Sequence, residues 1–318
     1  MDPGERWTEA AEADARVLVA LALSEDVGAG DWTTLWAVDP DVQAEATVLA
    51  KAPLVLAGAA VARLAFHSVD AGLVVEVLGK EGPSLAPGTE ILHVCGSARS
   101  ILTAERTALN FLGRLSGIAT LTRQFVDAVK GTRARITDTR KTTPGWRHLE
   151  KWAVRVGGGT NHRMGLHDMI LVKDNHIAIA GGVAEVTRRV LARNTVGLPV
   201  EVEVTRLQEL EELRGLGVDR ILLDNMELKT MAEAVRRVGE WPDPRPELEA
   251  SGTMTLDRVR AVAETGVDWI SIGALTHSVR TADLSLRVSP GLRPLAEGSQ
   301  AVTSRLETPA AVHGRERR

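Results

Sequence analysis

The amino-acid sequence predicts an α/β protein: a small N-terminal domain of mixed strands and helices, followed by a barrel of parallel strands. Two patterns predict this class. Between residues 43 and 95, short alternating runs are separated by glycine and proline, which is typical of strands in a small sheet. From residue 134 onward, short apolar runs recur, each ending in polar or glycine residues and followed by an amphipathic helical pattern. These runs span residues 134–137, 169–172, 200–204, 220–223, 247–250 and 269–272.

The spacing of these runs indicates how the second domain is built. Successive runs begin roughly 20 to 30 residues apart, so neighbouring strands are parallel and are joined by crossover helices. Such a sheet could close as a barrel or lie open between two layers of helices. Polar residues follow nearly every strand instead of clustering at one switch point, and this favours the barrel.

The remaining segments predict helices and the division into domains. Residues 10–23 predict an amphipathic helix, which the turn-rich run 25–31 ends. Its apolar stripe consists of Val17, Leu18, Leu21 and Ala22. Residues 98–130 are helical with an interruption at 113–117, where Ser116 caps a second helix and marks a domain boundary. The predicted division is residues 1–115 for the N-terminal domain, 116–276 for the barrel, 277–295 packing back on the N-terminal domain, and 296–318 as a disordered tail.

Composition excludes several classes of protein. The 318 residues carry a formal charge of −4, so no pervasive basic field favours nucleic acid. The single cysteine, Cys95, excludes an internal disulfide framework and suits a reducing compartment. Residues 1–12 lack the order of a signal peptide, and the apolar stretch 54–66 is short and contains Arg63. We therefore expect a cytoplasmic protein that has neither nucleic-acid nor membrane partners.

The carboxyl ends of the predicted strands carry a distinctive set of polar residues. In a parallel barrel these ends face one mouth, which holds the chemistry. Each residue alone has an ordinary explanation as a surface charge, a helix cap or a flexible turn, but their convergence at one mouth favours a site. The set comprises the cations Arg140, Lys141, Arg163 and Lys173 with His162, the carboxylates Glu203 and Asp224, and the small residues Ser251, Gly252 and Gly273.

This set of residues predicts the class of ligand. Several fixed cations indicate a substrate with multiple negative charges, and glycines on the last two strands fit a phosphate site. Two carboxylates opposite them suit sugar hydroxyls or a hydrated Mg²⁺. A phosphorylated sugar with a second anion nearby follows from the residues alone. No strand leads into the glycine fingerprint of dinucleotide-binding proteins, and the histidines lack the spacing of a zinc site.

Several motifs, in order, resemble those of the quinolinate phosphoribosyltransferases, the carboxylating nicotinate-nucleotide pyrophosphorylases. The resemblance runs from about residue 21 to residue 288. The motifs are EDVGAGD at 25–31, ERTALN at 105–110, TRKTTPG at 139–145, GGGTNHRMGL at 157–166, VKDNH at 172–176, EVEV at 201–204, LDN at 223–225, EASG at 249–252 and SIGALT at 271–276.

The resemblance implies a fold, a reaction and roles for individual residues. The fold is an N-terminal α/β sandwich with a C-terminal α/β barrel, in head-to-tail homodimers or higher homo-oligomers. The reaction joins quinolinate to phosphoribosyl pyrophosphate with Mg²⁺ as cofactor. The resemblance implies that Arg106 reaches the partner's barrel and that the quinolinate carboxylates are bound by Arg140, His162, Arg163 and Lys173. The pyrophosphate would be faced by Lys141 and Lys173, and the ribose and Mg²⁺ would be held by Glu203 and Asp224. The 5′-phosphate would be bound by Ser251, Gly252 and Gly273. Thr253 departs from the family, which often has glycine there, and would be strained at positive φ.

Three alternatives remain open at this point. A paralogue would keep the phosphoribosyl transfer and use another aromatic acid as acceptor. A Schiff-base lyase would use Lys173 as nucleophile, although this mechanism gives no reason for so many neighbouring arginines. A former enzyme retained as a binding subunit would keep the fold without the reaction.

Overall fold

The computed structural model describes residues 8–290, so the predicted tail and the end of segment 277–295 lie outside the described residues. Within the described part, no helix has the length and apolar content needed to cross a membrane. The elements of the first part are α1 (Glu9–Val27), α2 (Trp32–Ala37), β1 (Gln43–Ala50), β2 (Leu54–Val55), α3 (Ala59–Val69), β3 (Val74–Val77), β4 (Ser84–Leu85), β5 (Glu90–Ser97) and α4 (Ala98–Ala128).

The remaining elements alternate between strands and helices, apart from two successive helices between the second and third of these strands. They are β6 (Arg135–Thr137), α5 (Arg147–Val156), β7 (Ile170–Val172), α6 (Asp174–Ala180), α7 (Val183–Arg193), β8 (Val200–Val204), α8 (Leu207–Glu212), β9 (Arg220–Asp224), α9 (Leu228–Gly239), β10 (Glu247–Ser251), α10 (Leu256–Glu264), β11 (Trp269–Ser271), α11 (Ala274–His277) and β12 (Leu284–Pro290). Each of the six apolar runs of the sequence coincides, to within one residue at either end, with one of the strands β6 to β11.

Two main sheets organise these elements. An antiparallel sheet in the order β12-β1-β5-β3 packs against α3 and α4, and its outermost strand is contributed by the C-terminal segment. Strands β6 to β11 form a parallel sheet in the order β6-β11-β10-β9-β8-β7. The predicted fold class, an N-terminal α/β domain followed by an α/β barrel, is confirmed. The division at residue 115 stays a prediction.

The barrel closes through a loop instead of a sixth strand pairing. Its edge strands β6 and β7 are not neighbours in the sheet. The segment after α5 lies beside β6: Thr160 N–H donates to Ile136 O at 2.8 Å, and Asp138 N–H donates to Thr160 O at 3.2 Å. This segment continues into His162, so the closing loop also delivers a residue of the predicted site.

Helix α4 runs without a break through residues 113–117, so the predicted interruption is wrong. The glycines of α4 lie where the main chain near Arg280 crosses the helix closely, because a Cβ at Gly117 would stand 2.2 Å from Arg280 O. Ser116 caps no helix; its hydroxyl donates to Ala57 O and accepts from Ala57 N–H, each at 3.1 Å. Glycine within a helical pattern therefore reports a packing requirement here and not a chain break.

The apolar stripe predicted for the first helix is only partly right, because two of its four residues, Leu18 and Ala22, are partly buried against the core. The residues of α1 that are buried are the small or β-branched Ala11, Ala15 and Val19, which pack where α1 crosses α3, α4 and α5. Val17 and Leu21 are largely exposed. Close approach of helices favours small residues, and this leaves large apolar side chains on the outer face of α1.

Replacing Gly117 with alanine tests the close crossing. The added methyl group has no room against the main chain of Arg280, so we expect Gly117→Ala to lower the free energy of unfolding by about 1–3 kcal/mol. Urea unfolding measures this change. Gly239→Ala is the matched control, because a Cβ there meets no atom within 4 Å. Equal effects of the two substitutions would contradict the assignment.

Candidate active site

A cavity of about 560 Å³ opens at the carboxyl ends of the barrel strands. The residues predicted from the strand ends line it together: Arg140, Lys141, His162, Arg163, Lys173, Glu203, Asp224, Ser251, Gly252 and Gly273. Edge strands β6 and β7 both contribute, so the sheet curves around the cavity. Arg106 is the exception, since it lies exposed on α4 and does not line this cavity.

The cations of the cavity lack ionic partners within the described chain. Across residues 8–290, no carboxylate lies within 4.0 Å of a side-chain nitrogen of Arg140, Lys141, Arg163 or Lys173. Arg163 is nearly buried, and its guanidinium donates to Met169 O at 3.2 Å. Four positive charges in one concave site, none of them in a salt bridge with a described carboxylate, make a site for a multiply charged anion.

A buried carboxylate fixes the loop that carries Arg140 and Lys141. Glu150, on α5, accepts hydrogen bonds from Thr143 N–H at 3.0 Å and from the Arg114 guanidinium at 2.8 Å. Arg114 also donates to Thr276 O, and the Thr276 hydroxyl donates to Lys141 O at 2.8 Å. The loop is thus tied to α4, α5 and α11, so its two cations are presented by a rigid main chain.

A second buried ion pair anchors the closing loop. Asp138 and Lys151 are both fully buried and form a salt bridge. Asp138 also accepts from His162 N–H at 3.0 Å and from the Asn161 side-chain amide at 2.6 Å, while Lys151 donates to His162 O at 2.9 Å. Breaking a buried pair leaves an uncompensated charge, so these contacts hold β6, α5 and the loop to one another.

The inside of the barrel beneath the cavity is polar. His162 Nε2 lies 2.8 Å from Glu201 Oε2 and 3.5 Å from Glu249 Oε2, and Arg220 pairs with Glu249 at 2.9 Å. The three residues His162, Glu201 and Glu249 also lie close enough together to serve as metal ligands. Burial raises the pKa of Glu201 and of Glu249 to about 7, and it lowers the pKa of His162.

Carboxylates occupy the side of the cavity opposite the cations. Burial raises the pKa of Glu203, and the neighbouring charge of Asp224 raises it further. Asn225 donates to Asp224 Oδ2 at 2.8 Å and so orients that carboxylate. Asp174, beside Lys173, also lines the cavity and acts on Glu203. Oxygen donors at this density suit a hard divalent cation or sugar hydroxyls.

The last two strands end in main chain without bulky side chains. Gly252 has φ +128°, and a Cβ there would stand 2.5 Å from Asn225 Oδ1, so only glycine fits. Thr253 is not strained, because Asn225 alone among the non-glycine residues of 8–290 has positive φ. Together with Gly273, this main chain lines a surface of the cavity that a phosphate can approach closely.

Comparison with family models decides the family. Residues 31–116 match the model described as quinolinate phosphoribosyl transferase, N-terminal domain, and residues 118–287 match that of its C-terminal domain. The chain belongs to the quinolinate phosphoribosyl transferase family. The resemblance inferred from the sequence motifs is thereby confirmed.

Curated relatives and solved structures agree with this family. The chain is 43% identical over 298 residues to a chloroplastic nicotinate-nucleotide pyrophosphorylase [carboxylating] of Oryza sativa subsp. japonica, covering 88% of this chain and 79% of the relative. It is 41% identical over 266 residues to a probable nicotinate-nucleotide pyrophosphorylase [carboxylating] of Synechocystis, covering 84% and 90%. The nicotinate-nucleotide pyrophosphorylase structure from Francisella tularensis superposes with TM-score 0.84 at 35% identity, covering 91% of this chain and all of that one.

The sequence analysis did not identify the buried charged residues that support the cavity from inside the protein. Glu150 and Lys151 lie within an otherwise apolar stretch of α5 and are both fully buried. Charged residues inside a run that must face a core are the signal that could have found them, since such charges need partners. Glu201 and Glu249 belong to quoted motifs, but their interior position depends on strand register, which motif matching does not give.

The pH dependence of stability tests the buried acids. Burial raises the pKa of Glu201 and Glu249 to about 7 in the folded protein, above the ordinary 4.5 of a glutamate in an unfolded chain, so folding retains protons between these values. Their stabilising contribution is present below the unfolded pKa and is lost as pH rises through 7. Relative to Glu249→Gln, we expect the parent protein to lose up to about 1.4 kcal/mol per pH unit across this range.

Urea unfolding at several pH values between about 5 and 8 measures this difference. Glu227→Gln, an exposed acid on the surface of the same barrel, is the matched control. Parallel stability curves for the parent and Glu249→Gln would show that the buried acid titrates normally.

Proposed function

We propose that this protein transfers the phosphoribosyl group of phosphoribosyl pyrophosphate to quinolinate, giving nicotinate mononucleotide, pyrophosphate and CO₂. This is a pentosyltransferase reaction of NAD biosynthesis. The family assignment supports the reaction class. The observation that carries it is the joint presence, in one cavity, of unpaired cations, a carboxylate pair and a glycine-lined surface.

Each part of the cavity suits one part of the two substrates. Quinolinate carries two carboxylates, which Arg140, Arg163 and Lys173 would bind through charge-assisted hydrogen bonds. Lys141 would face the pyrophosphate of the second substrate. The main chain of Ser251, Gly252 and Gly273 would receive the 5′-phosphate, because the two glycines have no side chain of their own to keep a phosphate away; these three residues also line the cavity.

The reaction follows from this placement. The quinolinate ring nitrogen attacks the anomeric carbon, and the bond from that carbon to pyrophosphate breaks. Positive charge develops on the ribose, which Glu203 and Asp224 stabilise as fixed negative groups. The ring, now a pyridinium, accepts the electron pair left when the 2-carboxylate departs as CO₂, and that ring carbon then takes up a proton. Positioning and electrostatics suffice, and no covalent nucleophile is needed.

Magnesium fits the acidic side of the cavity. Glu203 and Asp224 would hold the ion directly or through water, because their neighbouring carboxylates raise the negative charge density there. Bound Mg²⁺ would neutralise negative charge on the pyrophosphate. The same two side chains would orient the ribose hydroxyls.

A homodimer with shared sites explains Arg106 and the exposed apolar surface. Arg106 lies exposed on α4 and outside the cavity of its own chain. Trp36 of α2 is 81% exposed, and Leu166 and Ile179, which follow Arg163 and Lys173 in the chain, are 72% and 89% exposed. Large apolar residues at both places are typical of a surface that a partner covers. Arg106 would then add a cation to the partner's cavity.

The alternatives explain fewer of these observations. A Schiff-base lyase needs Lys173 but gives no role to Arg140, Lys141 and Arg163. A paralogue with another aromatic acid would use the same cavity, and a product assay with quinolinate and nicotinate separates the two.

The single, buried Cys95 supports a cytoplasmic location, where no disulfide is required.

Removal of a cation from the cavity tests the proposal. Arg140→Ala and Lys173→Ala should each lower kcat/KM for quinolinate about 100-fold or more, because each removes a positive charge that would bind the substrate carboxylates directly. The measurement is formation of nicotinate mononucleotide with Mg²⁺ and both substrates. Lys229→Ala, an exposed lysine on α9, is the control. Near-normal activity of Arg140→Ala, with a normal unfolding curve, would reject its role.

Subunit mixing tests the shared site. A heterodimer of Arg106→Ala and Arg140→Ala chains contains one cavity with both arginines and one with neither. Equal mixing of the two inactive variants should therefore restore about one quarter of parental activity for statistical exchange in a twofold dimer. Mass spectrometry of differently tagged chains verifies exchange. Verified heterodimers without recovery would show that each site is made within one chain.

A further inference from the structure

Arg147, the first residue of α5, lies between the two loops that carry the arginines of the cavity. Its guanidinium donates to Arg140 O at 3.4 Å and to the Thr142 hydroxyl at 3.0 Å, both on the loop after β6. The same group donates to Met164 O at 3.1 Å, on the closing loop directly after Arg163. Arg147 is half-buried and is not among the residues that line the cavity. One side chain outside the cavity therefore joins both loops.

We propose that Arg147 is a positioning residue that sets the separation of the Arg140 and Arg163 guanidinium groups, and thereby the preference for two carboxylates on adjacent ring carbons. This inference rests on the proposed function, in which these two arginines bind quinolinate. It assigns part of the substrate specificity of that site to a residue that does not touch the substrate.

The two cavity arginines need such a tether because they repel each other. Burial lowers the pKa of Arg163, and the neighbouring positive charge of Arg140 lowers it further. Across residues 8–290, neither guanidinium has a carboxylate within 4.0 Å that would draw it into place. Before a dianionic substrate binds, the main chain must hold these two charges at a fixed separation. Groups held in place in this way lose less freedom on binding, which favours affinity.

The contacts of Arg147 act at the position where a tether matters. Lys151, which lies one turn further along the same face of α5, joins the bases of the two loops by pairing with Asp138 and donating to His162 O at 2.9 Å. Arg147 adds the contact at Arg140 itself, which forms no other hydrogen bond within residues 8–290. The position of the Arg140 main chain relative to the closing loop therefore depends on Arg147.

A guanidinium is suited to this task because it is a rigid, planar group. Nε and the two terminal nitrogens donate in fixed directions, and in Arg147 each of the three meets a different oxygen. A lysine ammonium at this position has a single nitrogen on a flexible stem. It would keep the positive charge but not the three contacts in one plane.

Lys141, next to Arg140, has anchors of its own. Its main-chain N–H donates to the Thr139 hydroxyl at 3.0 Å, and its C=O accepts from the Thr276 hydroxyl at 2.8 Å. Loss of the Arg147 contacts should therefore disturb the side of the cavity that would bind quinolinate more than the side that would bind pyrophosphate.

Binding of two isomeric dicarboxylates tests the spacing. Benzene-1,2-dicarboxylate carries its carboxylates on adjacent ring carbons, as quinolinate does, and the 1,3-isomer carries them further apart. The parent protein should bind the 1,2-isomer more tightly. In Arg147→Met, we expect its Kd to rise about tenfold and the preference over the 1,3-isomer to fall at least about threefold. Isothermal titration calorimetry measures these constants without turnover.

Two further variants complete this test. Arg147→Lys keeps the charge and should also lose preference for the 1,2-isomer, so it carries the test if Arg147→Met does not fold. Arg245→Met is the matched control and should keep the parental constants. That arginine also donates to a carbonyl, Gly239 O at 2.9 Å, but it is exposed and does not line the cavity.

Kinetics gives the corresponding split between the two substrates. In Arg147→Met, the KM for quinolinate should rise about tenfold and the KM for phosphoribosyl pyrophosphate less than about threefold. A comparable rise in both constants would contradict the inference, because it would indicate a general loss of loop structure.

The binding data separate failure of this inference from failure of the proposed function. Folded Arg147 variants with the parental preference, or with equal weakening of both isomers, would overturn the inference alone, because the residue would then act through charge or stability. A parent protein that bound neither quinolinate nor either isomer would reject the proposed function and this inference together.

Discussion

The buried ion pair between Asp138 and Lys151 is the constraint on which the rest of the site depends. It joins the end of β6 to α5 and holds the main chain of His162 on both sides. The barrel lacks a pairing between β6 and β7, and the loop from Thr160 to Arg163 takes that place. Two buried charges are costly unless both are fully bonded, and here that requirement dictates a single loop conformation.

The cavity separates its charges by strand order. Cations come from the ends of β6 and β7 and from the closing loop, acids come mainly from β8 and β9 with Asp174 after β7, and bare main chain comes from the ends of β10 and β11. A substrate pair with carboxylates at one end, a ribose in the middle and a phosphate at the other can align along this gradient. Support for the cations comes from neutral or paired groups beneath them, such as Glu150 bound to Arg114, so their charge stays available.

The sequence predicted the strands and the cavity-lining residues well, because both follow from local pattern. Alternating strand and helix periods locate the strands, and a parallel barrel brings their ends to one mouth whatever the packing details. Helix faces and glycine positions were predicted less well. Ala15 of α1 and Gly117 of α4 are determined by how closely another segment approaches, which depends on tertiary contacts. The interior bonds of His162 likewise depend on which strands lie opposite, not on its motif.

Helix α4 has a mechanical consequence. Its 31 residues form a continuous rod about 46 Å long, at 1.5 Å per residue, that packs on the antiparallel sheet at one end and reaches α5, β6 and α10 at the other. This shaft is crossed tightly at Gly117 and links the two regions of a subunit by continuous helix. Any movement of one region against the other would therefore have to bend a regular helix.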